Sequence, residues 1–277
     1  MKICRRTRGP FLVVLTTSVL LTSALVFSFA AGSASGRSPV APSPVAPSVA
    51  APVESIRVPI LAYHNVDSRP LLGPMGRQLT VSPAQFRAEM DYLKGAGYHT
   101  VTLEQVYKAA SGKAVLPRKP VALTFDDGGS DNYTVAYPIL KSHGFVATFF
   151  IVTGFPGLPG YASWSNIKAM LRSGMCIESH TAHHHDLTTL TDTELTAELA
   201  GARAVLRQKL GIDARILAYP GGKHNARVIA ATRAAGYVAA VTVRRGNVIS
   251  LANAYEWPRI GIGPLTGLAS FRAALTR

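Results

Sequence analysis

Cysteine is almost missing from this chain of 277 residues, which holds two. Cys4 lies in the first few residues and Cys176 is alone beyond them, so once a leader is removed no internal disulfide can form. Cys176 sits in the apolar run Met175-Cys176-Ile177 and reads as a small buried hydrophobe, not a nucleophile. Acidic residues are scarce as well, 15 Asp and Glu against 29 Lys and Arg, for a formal net charge of +14. A chain this basic suits an acidic surface such as a bacterial wall or anionic lipid. The cations are scattered, however, and are not interleaved with aromatics on one segment, which argues against a nucleic-acid partner.

The N-terminal segment has a recognisable order. Lys2, Arg5, Arg6 and Arg8 precede an apolar run from Phe11 to about Ala31, and the small residues Gly32-Ser33-Ala34-Ser35 follow. This is the order of a secretory signal, whose apolar core is usually about 7 to 15 residues, yet the run approaches the roughly 20 residues that span a bilayer. Residues 1–34 are therefore expected to be a signal peptide, cut after Ala30 or Ala34, or a membrane anchor. Residues 35–55 repeat Val-Ala-Pro-Ser, and proline at that density favours a semi-extended spacer over helix or interior strand. Residues 56–277 are long enough to bury a sizeable core and are expected to form one catalytic domain. Such a protein is secreted or membrane-anchored, with its folded part on the extracellular face.

Within that domain, apolar runs alternate with amphipathic stretches. Strands are expected at residues 58–64, 98–102, 121–125, 145–152, 175–179, 215–219, 238–243 and 257–262. Helices are expected at residues 82–93, 103–110, 132–142, 163–172, 192–210 and 226–235. Ser82 before Pro83, and Ser163 before Trp164, are helix-start signals; Phe86, Met90 and Leu93 form one apolar stripe. Strands alternating with helices argue for a parallel sheet with crossover helices. His64, Asp126, Asp127, His180 and Gly221 each follow a strand, which is where a barrel of strands and helices gathers its active face.

Two motifs carry the chemistry. Leu123-Thr124-Phe125-Asp126-Asp127-Gly128-Gly129 delivers adjacent carboxylates into a glycine turn, and alone it reads as a strand end. His180-Thr181-Ala182-His183-His184-His185-Asp186 places histidines four positions apart, which reach one metal if the intervening turn is helical; a carboxylate from another strand completes the set. Three protein ligands leave room for water. His183 and His185 are read as supporting or solvent-facing groups.

Thr124-Phe125-Asp126-Asp127-Gly128 together with His180-Thr181-Ala182-His183-His184 resembles the NodB-type polysaccharide deacetylases, the family 4 carbohydrate esterases. The resemblance covers about residues 56–262. It implies an α/β fold, a distorted (β/α)7 barrel of the polysaccharide deacetylase (NodB homology) type. It also implies a divalent metal, Zn2+ with Co2+ or Ni2+ as alternatives, held by Asp127, His180 and His184, with Asp126 as general base. The family's Arg-Pro-Pro-Tyr-Gly type motif corresponds here to Ala218-Tyr219-Pro220-Gly221-Gly222. Gly221 keeps the main-chain N–H that serves the oxyanion but loses the tyrosine ring. Ala218 stands where an arginine orients the base, and Arg259 is the candidate replacement.

The family's late Leu-His motif, source of the general acid, is also missing, because no histidine follows His224. Leu61-Ala62-Tyr63-His64-Asn65 is instead similar to the start of the exported poly-β-1,6-N-acetylglucosamine deacetylases, which makes His64 the acid. Trp164, Tyr219 and Trp257 are candidate sugar-stacking rings, with core packing as the competing role. The resemblance implies a monomeric hydrolase removing N-acetyl groups from an acetylated polysaccharide of the bacterial envelope or cell wall, of poly-β-1,6-GlcNAc, peptidoglycan or chitin type. An O-acetyl esterase on xylan or another glycan shares the machinery, and a non-catalytic glycan-binding module shares the fold.

Overall fold

The structure, a computed structural model, describes residues 54–69 and 73–276. The expected leader and nearly all of the expected spacer lie outside the described residues. Among the described residues no helix is long and apolar enough to cross a membrane.

Seven short parallel strands make the centre: β1 (Ile60–Tyr63), β2 (Pro120–Phe125), β3 (Thr148–Ile151), β4 (Cys176–Ser179), β5 (Ile216–Ala218), β6 (Ala239–Val241) and β7 (Ile260–Gly261). Each pairs in parallel with the next from β1 to β6, and β7 returns to pair with β1. The remaining gap is closed by one segment. Trp257 bridges Val241 of β6, with Thr242 N donating to Trp257 O and Trp257 N to Ala240 O, both at 2.9 Å, just before the chain enters β7. The result is a distorted (β/α)7 barrel. A further strand, His99–Thr100, pairs with the start of β2.

Strand parity sorts the apolar residues into separate layers. Ile60, Ala122, Phe150, Ile216, Ala218, Ala239 and Val241 cluster with Trp257 on the concave side. Leu61, Tyr63, Leu123, Phe125, Phe149 and Ile177 face the other way, under the helices. There Tyr63, Phe125 and Phe149 stack in succession at 5.3 and 4.8 Å, and Phe86 meets the first two edge-on. Strands buried on both sides account for the near-continuous apolar runs in the sequence.

The helices follow their caps. Ser82, Ser163 and Asn225 accept from the backbone three residues on, and Thr102 and Thr191 form capping boxes with Gln105 and Glu194, each worth about 1 kcal/mol. Two expected helices are not continuous. A π turn at Asn132–Ala136 precedes Tyr137–His143, and another at Ala197–Gly201 separates Asp192–Thr196 from Ala202–Leu210. Such single wide turns re-aim side chains; the first carries Asn132 and the second Glu198. A final helix, Leu268–Thr276, had no counterpart in the reading of the sequence and lays Phe271 against Tyr92 of helix Pro83–Gly95.

Candidate active site

The alternation that puts Ala122 inside the barrel carries on through Thr124 to Asp126, which is 2% exposed at the end of β2. Asp127 would point away if the strand continued. Instead its backbone is left-handed, φ 70°, and Gly128 follows at φ 79°, so both carboxylates turn toward one cleft. A side chain at Gly128 would also meet Ile151 Cδ1 at 3.0 Å.

The histidine motif follows β4, and the turn between His180 and His184 is not helical. Thr181 (φ 66°) and His184 (φ 63°) are both left-handed, and Thr181 Oγ1 accepts from His184 N at 3.1 Å. This tight loop, not helical periodicity, brings the two imidazoles to a centroid distance of 4.7 Å. His180 Nδ1 donates to Ala218 O at 2.8 Å, which fixes the tautomer and leaves Nε2 free to ligate. His180 Nε2 and His184 Nε2 lie 3.4 and 3.5 Å from Asp127 Oδ1. A tetrahedral ion with bonds of about 2.0–2.2 Å separates its donors by roughly 3.4 Å. The three residues therefore fit a divalent cation, and their donor atoms all lie within 4.8 Å of one another.

Beside this triad Arg259, 1% exposed, enters from the segment that closes the barrel. Its Nη1 and Nη2 donate to Asp126 Oδ1 and Oδ2 at 2.8 and 2.7 Å, Nη1 also reaches Thr124 Oγ1 at 3.2 Å, and Nε donates to Thr242 O at 2.9 Å. Burial pushes the Asp126 carboxyl up, but the charge and paired hydrogen bonds of Arg259 outweigh it and hold the group well below the usual carboxylate range. Asp127 is likewise raised by burial and brought below its ordinary value by His180 and His64. His180 shifts up, burial being overcome by Asp127 and Asp126, and His184 shifts down through burial and the neighbouring His180.

His64 completes the ring of polar groups, its Nε2 3.8 Å from Asp126 Oδ2 and its side chain 20% exposed. Its position depends on a pair the sequence reading passed over. Asn132 Nδ2 donates to His64 O at 2.8 Å, and Asp131 Oδ2 accepts from Val66 N at 2.6 Å, so the start of the π turn pins the loop after β1.

Burial decides between the two roles open to the candidate rings. The Tyr219 side chain is 1% exposed, stacked on His224 at 4.9 Å within a core cluster, and Trp257 is fully buried. Both rings pack in the core. Trp164 is half-buried against the main core. Gly221 is exposed in the turn Pro220–Gly222 at φ 58°, a backbone that disfavours the tyrosine the family motif has there. Ala218 is fully buried in β5, where its carbonyl anchors His180, and the guanidinium beside Asp126 is that of Arg259.

A loop that the sequence reading did not single out ties the two motifs together. Thr153 N and Gly154 N donate to Thr181 O and Ala182 O, while Ser130 N donates to Gly160 O and Ala162 N to Gly128 O, at 2.8 to 3.0 Å. Residues 153–162 thus strap the carboxylate turn to the histidine loop. Tyr161, whose hydroxyl is pushed up by partial burial and by the charge of Asp127, and Phe155, 4.6 Å from it, form the half-buried aromatic edge of the cleft.

The sequence model for polysaccharide deacetylase matches residues 113–240. YxkH of Bacillus subtilis (strain 168), whose name places it among the polysaccharide deacetylases, is 31% identical over 217 residues, 78% of this chain and 75% of that protein. The chain belongs to the polysaccharide deacetylase family. Streptococcus pyogenes deacetylase PplD, solved with acetate, superposes with a TM-score of 0.73 at 30% identity, covering 80% of this chain and 99% of that one. IcaB from Ammonifex degensii gives 0.69 at 26%, covering 81% and 99%. The poly-β-1,6-N-acetyl-D-glucosamine N-deacetylase of Staphylococcus aureus (strain MRSA252) is 27% identical over 199 residues, 66% of this chain and 68% of its own. The protein is thus a polysaccharide deacetylase, a hydrolase on the NodB-type barrel.

Proposed function

We propose that this polysaccharide deacetylase is a divalent-metal-dependent enzyme that removes N-acetyl groups from an extracellular N-acetylglucosamine polymer. One observation carries the reading: Asp127 Oδ1, His180 Nε2 and His184 Nε2 converge at ligand spacing beside the buried Asp126–Arg259 pair, with His64 Nε2 across from it. Asp127, His180 and His184 would hold the cation, and two imidazoles with one carboxylate favour Zn2+ while accepting Co2+ or Ni2+. When bound, the ion supplies Lewis acidity, polarising the acetyl carbonyl and lowering the pKa of a water toward about 7.

The chain's own groups do the rest. Asp126, oriented by Arg259, takes the proton of the attacking water as the new C–O bond forms. The Gly221 N–H is available to the developing oxyanion. His64 Nε2 then gives a proton to the nitrogen as the C–N bond breaks, so that acetate and a free amine leave. The Staphylococcus aureus relative named for poly-β-1,6-N-acetyl-D-glucosamine favours that polymer, with peptidoglycan and chitin chains as the alternatives. In this reading residues 1–34 export or anchor the protein, residues 35–55 space it from the envelope, and residues 56–277 act as a monomer.

The test is acetate release by the purified protein, stripped of metal and reloaded with Zn2+, Co2+ or Ni2+, from β-1,6-linked, chitin and peptidoglycan glycans. Release from at least one, dependent on metal, is expected. No release from any N-acetylated glycan with all three metals, or release confined to O-acetylated xylan, would overturn the reading.

A further inference from the structure

We propose a second cation site, formed by His183 Nδ1, His185 Nδ1 and Glu198 Oε1, that takes a zinc-like transition-metal ion and braces the loop carrying His184. One donor atom from each of the three residues lies within 4.8 Å of the others. Chain direction explains the division: the outer two of the three consecutive histidines meet Glu198, and the middle one meets Asp127.

The carboxylate is built in. Glu198 is 4% exposed on the π turn Ala197–Gly201, and its Oε2 accepts from Ala182 N and His183 N at 3.0 and 2.9 Å. That leaves Oε1 facing both imidazoles. The rings are placed as well. His183 is wedged between Glu198 and Gly154, where an added Cβ would lie 3.1 Å from its Cδ2, and it stacks on His185 at 5.7 Å and 26°. Both histidine side chains are about 60% exposed, so an ion can enter from solvent and keep water in its remaining positions.

The spacing suits the ion. His185 Nδ1 is 3.4 Å from Glu198 Oε1, the donor separation expected around a tetrahedral centre. His183 Nδ1 is 2.7 Å from the same oxygen in a hydrogen bond. Opening that edge by about 0.7 Å, with the imidazole proton moving from Nδ1 to the other ring nitrogen, satisfies the same geometry. Imidazole-rich donors select borderline transition metals over Mg2+ or Ca2+. Because Ala182 N and His183 N rest on the same carboxylate, an ion there stiffens the left-handed loop that presents His184.

The experiment is metal stoichiometry of the purified protein, by elemental analysis after equilibration with Zn2+ and by calorimetric titration of the metal-free form. Wild type is expected to bind two equivalents. The Asp127→Asn/His180→Ala protein is expected to keep one, and the His183→Gln/His185→Gln protein to keep the other. The exposed single change His185→Gln is expected to remove the second equivalent while leaving the fold intact by circular dichroism. Saturation of wild type at one equivalent that Asp127→Asn/His180→Ala loses, or unchanged stoichiometry in the His183→Gln/His185→Gln protein, would overturn the proposal. Failure of the first site has a different signature, since Asp127→Asn/His180→Ala would then leave the stoichiometry unaltered.

Discussion

Arg259 and Asp126 form a two-pronged ion pair at 2.8 and 2.7 Å, with side chains 1% and 3% exposed and 133 residues apart in sequence. The arginine comes from the stretch that bridges β6 to β1 through Trp257 and β7, so closure of the barrel and orientation of Asp126 are one event. A carboxylate buried to this degree without a partner would pick up a proton; the fork holds it ionised and fixes its plane.

Removing the fork tests this. Arg259→Met leaves a buried carboxylate alone and is expected to cost about 3 to 5 kcal/mol of stability, while turnover below the melting temperature falls by roughly a hundredfold or more. Arg259→Lys keeps the charge but not the planar pair of donors, and should recover part of the stability and little of the rate. Thermal unfolding and kcat measured on the same preparations separate the two effects. Wild-type turnover in Arg259→Met would remove Arg259 from the mechanism.

A second test concerns His64, whose Nε2 faces Asp126 Oδ2 at 3.8 Å and which lies outside the group formed by Asp127, His180 and His184. His64→Gln is expected to lower kcat by about two to four orders of magnitude, the range of a lost general acid, with Zn2+ content unchanged. Loss of the metal instead would place His64 among the ligands. Asn132→Ala, which releases the His64 carbonyl, should reduce kcat less and leave metal binding alone.

The barrel was legible because most of its strands are buried on both sides and several crossover helices start at a side-chain cap; Ser82 and Ser163 announce their helices in the sequence. The site was legible as two motifs because Asp126-Asp127 and His180 with His184 are unusual residue types at strand ends. What periodicity could not show was backbone hand. Left-handed Asp127, Thr181 and His184 cost steric energy that only the surrounding hydrogen bonds sustain, and no local signal marks a non-glycine residue for that conformation. The π turns were hidden for a related reason, since one inserted residue shifts the apolar stripe without breaking it. Residue type alone leaves Tyr219 and Trp257 open to sugar contact, and their burial follows from strand parity in β5 and from barrel closure.

The strap of residues 153–162 gives a third prediction. Gly154 has an ordinary backbone, but a Cβ there would stand 2.8 Å from the Ala182 carbonyl and 3.1 Å from the His183 ring. Because the nearer atom is backbone, the strap or the histidine loop has to shift. Gly154→Ala is expected to cost about 1 to 3 kcal/mol and to weaken metal binding, measured by unfolding and by competition with a chelator. Gly157→Ala is the control for space, since nothing lies within 4 Å of its Cβ, although its φ of 96° adds strain of its own. Unchanged metal affinity in Gly154→Ala would separate the strap from the site.

The last prediction concerns Glu89, 1% exposed on helix Pro83–Gly95 behind β1. Tyr63 OH donates to its Oε2 at 2.8 Å and Gln85 Nε2 to its Oε1 at 2.9 Å, yet burial outweighs both and pushes the carboxyl up to about 7. Its value in the unfolded chain is about 4.3. Between those two values the folded state holds a proton that the unfolded state has lost, so stability falls as pH rises through the window. The contribution is fully present below about pH 4.3 and is gone above about pH 7, a difference on the order of 3 kcal/mol. Glu89→Gln imitates the neutral acid at every pH. It should match wild type near pH 4.5 and exceed it near pH 8, where denaturant midpoints are compared. Equal stability of the two proteins at pH 8 would mean that Glu89 is ionised in the folded state at little cost, and that solvent reaches it behind β1.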